Sequence, residues 1–189
     1  YGDGDFFNMK GVVEEFFDSV GMKKKTAYDP EAGKSFLHPG RQASIIYDGK
    51  VVGYLGEVHP IVCKNYDIGT RAYIAVLDMP LIVDEATFDR KYEGVAKYPA
   101  VSRDISMVVP KNILAGQIEE MIEQRGGKLL ENYQLFDIYE GEQIKEGFKS
   151  MAYSITFRAK DRTLEENDVT GAMKKILNGL ESMGIELRQ

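Results

Sequence analysis

The sequence has few of the residues that build cross-linked or metal-bound scaffolds. Cys63 is the single cysteine in 189 residues, which excludes an internal disulfide and a zinc cluster held by several thiolates. No apolar run approaches the roughly 20 residues needed to cross a bilayer. A lone cysteine fits a reducing compartment, so we expect a cytoplasmic protein without a membrane segment.

Motifs of familiar catalytic chemistry are also missing. The sequence contains no glycine-rich phosphate loop, no HExxH and no recognisable Ser-His-Asp or Cys-His set. Both histidines, His38 and His59, precede a proline. Because the residue before proline is disfavoured in the helical region, each pair predicts a chain reversal rather than a metal ligand or general base. We expect no catalytic residue, no metal ligand and no cofactor in this chain.

Acidic residues outnumber basic ones, 30 against 24, and the formal net charge is −6. Phosphate-binding surfaces usually show an excess of Lys and Arg. The charge balance therefore argues against broad affinity for polyanions, although it permits a local basic face. Hydrophobic residues at 43% and charged residues at 29% are typical of a globular protein, and the length suits two small domains.

The first half predicts one helix followed by antiparallel strands. Apolar residues recur at spacings of three and four from Phe6 to Val20, and Gly21 follows as a stop. Residues 23–34 predict a polar connection. An Asp48-Gly49 pair between two apolar runs is a strong hairpin pattern, and a third strand is expected over 71–83.

The second half predicts the order βαββαβ of a ferredoxin-like domain. Periodicity predicts strands at 102–110, 129–141, 149–159 and 185–189, and helices at 113–127 and 164–184. A polar stretch that ends near a proline, 88–98, predicts a linker. The expected domains are therefore 1–87 and 99–189.

Alternation along the strands assigns side chains to two faces of this second sheet. We expect the helices to cover a face formed by Ile105, Met107, Val109, Phe136, Ile138, Tyr153, Ile155 and Phe157. The opposite face would carry Ser102, Asp104, Ser106, Tyr133, Asp137, Tyr139, Ser154, Thr156 and Arg158. Such a polar face is either simply solvated or able to hold unstacked bases, as RNA-recognition modules do.

Several motifs resemble the β subunit of bacterial phenylalanyl-tRNA synthetase. "YPAVSRDISMVVP" and "YSITFRAKDRTLEENDV" are similar to its ferredoxin-fold anticodon-binding domain. "NMKGVVEEFF", "HPGRQA" and "GYLGEVHP" are similar to the segment before that domain. The resemblance implies an α+β fold in which a class II synthetase-like, catalytic-like antiparallel sheet module precedes the ferredoxin-like domain. We expect the first module to be inactive and truncated before Tyr1.

The resemblance also implies a division of roles in a phenylalanine-tRNA ligase. The first module would pack against the synthetase α subunit, which holds the aminoacylation site, and Arg41 would meet an acidic group across a subunit interface. The parent α2β2 heterotetramer would use ATP and Mg²⁺ to attach phenylalanine to tRNA(Phe). This chain would not catalyse that reaction alone.

Contacts to tRNA would then lie on the second domain, and we assign them from side-chain chemistry. Tyr139 would stack a base, together with Tyr133, and Asp137 and Ser154 would read a base edge. Phosphates would be held by Arg158, Lys160, Arg162 and Arg188. These basic residues are equally compatible with ordinary surface charge that is balanced by Asp161, Glu165 and Glu166.

Two other functions fit the same folds. The open face of the second sheet would serve equally well in a non-catalytic protein–protein assembly module, since tyrosine-rich, weakly charged surfaces suit protein partners. Other βαββαβ domains bind small metabolites, which makes a sensor the third alternative. The sequence also predicts a capping box at Thr163 and Glu166, to which no function is assigned.

Overall fold

The computed structural model describes residues 4–87 and 94–188. The chain forms two compact units, Tyr1–Tyr92 and Glu93–Gln189. The linker predicted at 88–98 lies outside the described residues over 88–93, so the domain boundaries remain a prediction. Within the two described ranges, no helix combines the length and apolar character needed to span a membrane.

The first unit begins with helix α1, Phe6–Ser19, where the sequence predicts it. The Asp5 side chain accepts a hydrogen bond from the Asn8 N–H at 2.8 Å, and the Asn8 side chain accepts one from the Asp5 N–H. After the helix, Gly21 adopts a φ of +75°. A Cβ at this position would clash with the Thr87 carbonyl oxygen, so only glycine fits this stop.

Four antiparallel strands form the sheet of the first unit, in the order β1-β2-β3-β4. Their bounds are Thr26–Asp29, Leu37–Tyr47, Lys50–Val58 and Tyr73–Leu77. The predicted hairpin between β2 and β3 is confirmed: Asp48 and Gly49 both have positive φ, 48° and 79°, as a tight hairpin turn requires. The core of the unit packs α1 on this sheet and includes Val13, Phe17, Met22, Ile45, Val52, Leu55 and Ile82.

Two sequence predictions for this unit are wrong. Residues 23–34, predicted as a polar connection, contain strand β1 after a short 3₁₀ turn. The strand predicted over 71–83 ends early, because Asp78 accepts a hydrogen bond from the Leu81 N–H at 3.2 Å and caps helix α3, Met79–Glu85. An apolar run alone suits either a strand or a helix. Here the N-cap carboxylate and a proline in the first helical turn favour the helix.

The second unit has the predicted order βαββαβ, and its strand order, β6-β7-β5-β8, confirms the ferredoxin-like fold. The elements are β5 (Val101–Pro110), α4 (Ala115–Gly126), β6 (Leu130–Tyr139), β7 (Phe148–Phe157), α5 (Glu166–Ser182) and β8 (Glu186–Leu187). All neighbouring strands are antiparallel. The core lies between the sheet and the two helices and includes the almost completely buried Met107, Ile122, Met151, Tyr153 and Ile176.

Strand β6 carries two extra residues, Glu131 near its start and Phe136 in its middle, and the second matters for the open face. Leu135 lies opposite Tyr153 on β7, and Asp137 lies opposite Ala152, which leaves Phe136 without a partner. A bulge of this kind shifts the alternation of side chains by one residue. The odd-numbered Tyr133 and Leu135 therefore face the helices before the bulge at Phe136, whereas the odd-numbered Asp137 and Tyr139 face away from them after it.

The bulge makes part of the predicted face assignment wrong. Tyr133, predicted on the open face, packs against the core on the helix side. Phe136, predicted on the covered face, is unpaired and is 55% exposed. Ile138 lies opposite the buried Met151 yet is 52% exposed. The assignments made for β5 and β7 are confirmed by the register of those strands.

A substitution at Gly53 tests how closely β3 packs beside β4 in the first sheet. A Cβ at Gly53 would lie within 3.0 Å of the Val76 carbonyl oxygen on β4. We therefore expect Gly53→Ala to lower the free energy of unfolding by about 1–3 kcal/mol, as measured by urea unfolding followed by circular dichroism. The control is Gly69→Ala, where a Cβ would meet nothing within 4 Å. Similar values for both variants would contradict this packing.

Candidate nucleic-acid interface

The open face is the side of the second sheet that α4 and α5 do not cover. By strand register it carries three apolar residues near one end, Val108, Pro110 and Phe148, and otherwise mostly polar ones: Ser102, Asp104, Ser106, Asn132, Gln134, Asp137, Tyr139, Ser150, Ala152, Ser154 and Thr156. Across the central strands, the hydroxyl oxygens of Ser102 and Thr156 are 2.9 Å apart. The face is therefore rich in groups that can exchange hydrogen bonds with a bound molecule.

Three of the predicted contact residues meet on the open face. Asp137 lies opposite Ala152 and Tyr139 opposite Ser150, while Ser154 is two residues along β7 from Ala152. Asp137 is exposed, Tyr139 is 41% exposed and Ser154 is partly buried. A carboxylate, a ring and a hydroxyl thus lie on the same face, with Ser154 four residues along β7 from the position opposite Tyr139. They provide hydrogen-bonding groups for base edges and a surface for stacking.

Arg188 reaches the open face from the β8 edge of the sheet. Its backbone N–H donates to the Ser106 carbonyl oxygen at 2.8 Å. Its guanidinium lies 3.5 Å from the Ser150 hydroxyl and 3.5 Å from the side-chain oxygen of Gln143. Hydrogen bonds of that length are weak. Both partners are neutral, and within residues 4–87 and 94–188 no carboxylate forms an ion pair with this exposed side chain.

Arg158 is engaged in contacts within the unit. Its Nε donates to the Glu131 carboxylate at 2.7 Å, and Nη1 donates to the Tyr98 carbonyl oxygen at 2.5 Å. Only 26% of the side chain is exposed. The guanidinium therefore fastens the segment before β5 to the beginning of β6, and a carboxylate offsets its charge.

Arg162 is paired in a similar way, with two guanidinium nitrogens on the Asp168 carboxylate. Asp168 also accepts a hydrogen bond from the Glu165 N–H at 3.0 Å. These two donors lower the pKa of Asp168 to about 2. Helix α5 is therefore capped around Glu165, and the capping box predicted at Thr163 and Glu166 is wrong.

The basic residues predicted to hold phosphates do not form one cluster. Arg158 contacts Glu131 near the start of β6, whereas Tyr139 ends that strand. Eight residues of extended chain span about 27 Å. Arg188 is on the Tyr139 side, because it contacts Ser150 opposite Tyr139. The structure thus separates Arg188 from the other predicted phosphate contacts, which are Arg158, Arg162 and the exposed Lys160.

Two tyrosines on the covered face donate hydrogen bonds to helix α4. The Tyr133 hydroxyl donates to Glu123 at 2.6 Å, and the Tyr153 hydroxyl donates to Glu119 at 3.4 Å. Burial and the neighbouring carboxylates raise the pKa of both phenols above its ordinary value. Tyr133 therefore links α4 to the sheet and cannot stack a base on the open face.

Two family models cover most of the chain. The phenylalanyl tRNA synthetase beta chain CLM domain matches residues 2–79, and the ferredoxin-fold anticodon binding domain matches residues 96–188. The chain belongs to the phenylalanyl-tRNA synthetase β-chain family. Its first unit carries the CLM domain and its second the anticodon-binding domain, so both parts of the resemblance seen in the sequence are confirmed.

Curated relatives match this chain along nearly all of its length. The phenylalanine-tRNA ligase beta subunits of Clostridium acetobutylicum and Clostridium tetani are 41% and 40% identical over 100% of the chain, and that of Bacillus subtilis is 40% identical over 94%. The chain spans 24%, 24% and 22% of these relatives. Among solved structures, a match to Arabidopsis thaliana MSL1 covers 96% of this chain and 57% of the MSL1 chain. Its TM-score of 0.31 and sequence identity of 8% are too low to inform the fold.

Of the two histidines of the CLM domain, His59 stabilises a turn, as the sequence predicts, whereas His38 lies inside strand β2, so the chain reversal predicted there is wrong. The Nδ1 of His59 accepts a hydrogen bond from the Ile61 N–H at 3.2 Å and caps helix α2, Pro60–Asn65. The Nδ1 of His38 accepts from the Gly40 N–H at 3.1 Å. In the described parts of the chain, no three His, Cys, Asp or Glu side chains are grouped so that they could hold a metal ion.

Arg41 has its acidic partner within the CLM domain. Its Nε lies 2.7 Å from Oε2 of Glu57, whose side chain is only 4% exposed. The two atoms are not aligned as a hydrogen bond, so the contact is an ion pair. A buried carboxylate is unfavourable without a counter-charge, and Arg41 supplies it. Arg41 therefore has a structural role within the chain, and its pairing across a subunit interface stays a prediction.

The Arg158 contacts predict a structural effect. Arg158→Ala removes hydrogen bonds to Glu131 and to the Tyr98 carbonyl oxygen, and we expect the free energy of unfolding to fall by about 1–2 kcal/mol. Urea unfolding measures the change. The control is Lys160→Ala, which removes a neighbouring exposed charge and should act within about 0.5 kcal/mol. If Arg158→Ala changed the free energy of unfolding as little as this control, the stabilising role of the Arg158 contacts would be refuted.

The Tyr133 contact predicts a dependence on alkaline pH. The folded domain holds the phenol pKa above its ordinary value of 10.0, so unfolding releases a proton in alkali. The contribution of Tyr133 to stability is therefore present below pH 10.0 and lost as the pH rises above it. We expect the free energy of unfolding to fall less steeply above this pH in Tyr133→Phe than in the unaltered chain.

Urea unfolding at a series of pH values measures this slope. Tyr66→Phe, at a ring that is 76% exposed, controls for the loss of one phenol and should keep the slope of the unaltered chain. An equal slope in Tyr133→Phe would show that the Glu123 contact does not hold the phenol proton.

Proposed function

We propose that this chain is the part of a phenylalanine-tRNA ligase β subunit that binds the anticodon loop of tRNA(Phe), and that it does so with the open face. One observation carries the proposal. Asp137, Tyr139 and Ser154 lie together on the uncovered side of a domain whose family model is named for anticodon binding. Such a face suits unstacked bases, which proteins recognise by stacking and by hydrogen bonds to their edges.

Each of these side chains has a role that suits its chemistry. The exposed part of the Tyr139 ring stacks a base, an interaction worth about 1–3 kcal/mol. The Asp137 carboxylate accepts hydrogen bonds from the amino or imino groups of a base edge, and the Ser154 hydroxyl donates or accepts. Arg188, whose contacts are with neutral groups, attracts a phosphate at the same end of the open face.

The other basic side chains contribute less to this proposal. Lys160 is exposed and serves as a phosphate contact. For Arg158 and Arg162, a phosphate has to compete with the carboxylates of Glu131 and Asp168. Binding by this domain therefore depends on the bases more than on the phosphates.

The CLM domain is proposed to support assembly rather than catalysis. Phe7 and Val12 on α1 are 71% and 67% exposed, and exposed apolar surface of this kind suits a protein partner. The partner is the synthetase α subunit, in a cytoplasmic α2β2 complex that uses ATP and Mg²⁺ to attach phenylalanine to tRNA(Phe). The described residues offer no group of three metal ligands, so no step through Mg²⁺ is assigned to this chain.

Binding to an anticodon stem-loop tests the proposal. The 189-residue chain should bind a tRNA(Phe) stem-loop more tightly than a stem-loop with replaced anticodon bases, because stacking and edge contacts depend on the bases. Tyr139→Ala should weaken binding roughly 5- to 150-fold, which corresponds to the stacking energy. Fluorescence anisotropy of a labelled stem-loop measures both. The matched control is Tyr133→Phe, on the covered face, which should bind like the unaltered chain.

The assembly-module alternative is favoured by exposed apolar side chains on the edge strand β6. Phe136 and Ile138 are 55% and 52% exposed, and a protein partner would bury them. Such binding would change little as salt rises, whereas phosphate contacts weaken steeply. Equal affinity for the two stem-loops, or no binding even at about 50 mM salt, would contradict anticodon recognition by the open face.

A further inference from the structure

A close contact joins Tyr139 to the loop after β6. A Cβ at Gly141 would lie within 3.0 Å of the Tyr139 hydroxyl oxygen, Cζ and Cε1, closer than real Cβ atoms approach other heavy atoms. The outer part of the ring therefore rests directly on the Gly141 backbone. Gly141 does not have a positive φ, so the backbone conformation itself does not require glycine. The ring requires it.

The loop that carries Gly141 is held in place by its own contacts. Glu140 forms an ion pair with Lys111 at 2.8 Å. The Ile144 N–H donates to the Gly141 carbonyl oxygen at 2.9 Å, and the Lys111 N–H donates to the Gly147 carbonyl oxygen at 2.9 Å. These contacts restrain the backbone at Gly141, against which the Tyr139 ring packs.

The same loop also borders the guanidinium at this end of the open face. Gln143 lies 3.5 Å from Arg188, which in turn lies 3.5 Å from Ser150, the residue opposite Tyr139. An aromatic ring and a guanidinium whose described partners are neutral therefore lie at one end of the face. A single nucleotide, with its base on the ring and its phosphate near the guanidinium, has complementary chemistry.

We infer that Gly141 is a positioning residue for base recognition, because its bare backbone fixes the orientation of the Tyr139 ring. This inference rests on the proposed function. A ring that is already held loses less conformational freedom when a base stacks on it, and 41% of Tyr139 remains exposed for that base. A side chain at Gly141 would push the ring away from this orientation without requiring a change in the backbone.

Gly141→Ala in the 189-residue chain tests the inference. We expect it to weaken binding of the tRNA(Phe) anticodon stem-loop by the same factor as Tyr139→Ala, roughly 5- to 150-fold, with an unchanged urea midpoint. The control is Gly116→Ala in α4, where a Cβ would meet nothing within 4 Å. This control should bind like the unaltered chain.

Two further measurements separate ring orientation from a general effect on the fold. In the Tyr139→Ala background, Gly141→Ala should cause no additional loss of affinity, because the ring is already gone. A stem-loop with 2-aminopurine in place of an anticodon base should lose fluorescence at saturating protein when the base stacks. We expect this quenching with the unaltered chain and its absence with both single variants.

Several results would overturn the inference. Additive losses in the double variant, or a lowered urea midpoint in Gly141→Ala, would give glycine a role independent of the ring. If Gly141→Ala kept full affinity and quenching while Tyr139→Ala lost both, the positioning role of Gly141 would be refuted. The proposed function would not be affected by that result. Normal binding by Tyr139→Ala would instead remove the proposed role of Tyr139, and the inference with it.

Discussion

The extra residue Phe136 determines which side chains in the second half of β6 lie on the open face. Before the bulge, Tyr133 belongs to the core, and after it Asp137 and Tyr139 lie on the open face. With uninterrupted alternation from Tyr133, all three would point towards the helices. The open face would then lose its carboxylate on this strand and the Tyr139 ring, so the proposed contacts depend on one backbone irregularity.

The sequence predicts the order of the elements because each has its own periodicity, but a bulge leaves no comparable mark. Phe136 and Ile138 look like neighbouring members of a buried apolar series. Counting alternation outwards from them gives the correct face for Asp137 and Tyr139, which follow the bulge, and the wrong face for Tyr133, which precedes it. Half of the strand is therefore predictable from pattern, and the other half requires the register.

Contacts between distant residues were the other unpredictable part of the site. His59 bonds to an N–H two residues away, so the following proline is enough to predict its role in a turn. Arg158 pairs with Glu131 across 27 residues, and Arg103 pairs with Glu166 across 63. The sequence leaves open whether such arginines are free or balanced by nearby acidic residues, whereas the fold pairs each of these two with a carboxylate that is distant along the chain.

This pairing of charges constrains how the domain can bind a nucleic acid. Three arginines already contact carboxylates, namely Arg103, Arg158 and Arg162, and the net charge of the chain is −6. In the proposed function, attraction to phosphates, which carries no sequence information, would therefore be weak relative to contacts with the bases. In the proposed function, such a domain contributes selectivity rather than bulk affinity. Linked binding sites reinforce one another, so the phosphate contacts of a larger complex would make that selectivity effective without a strongly basic surface here.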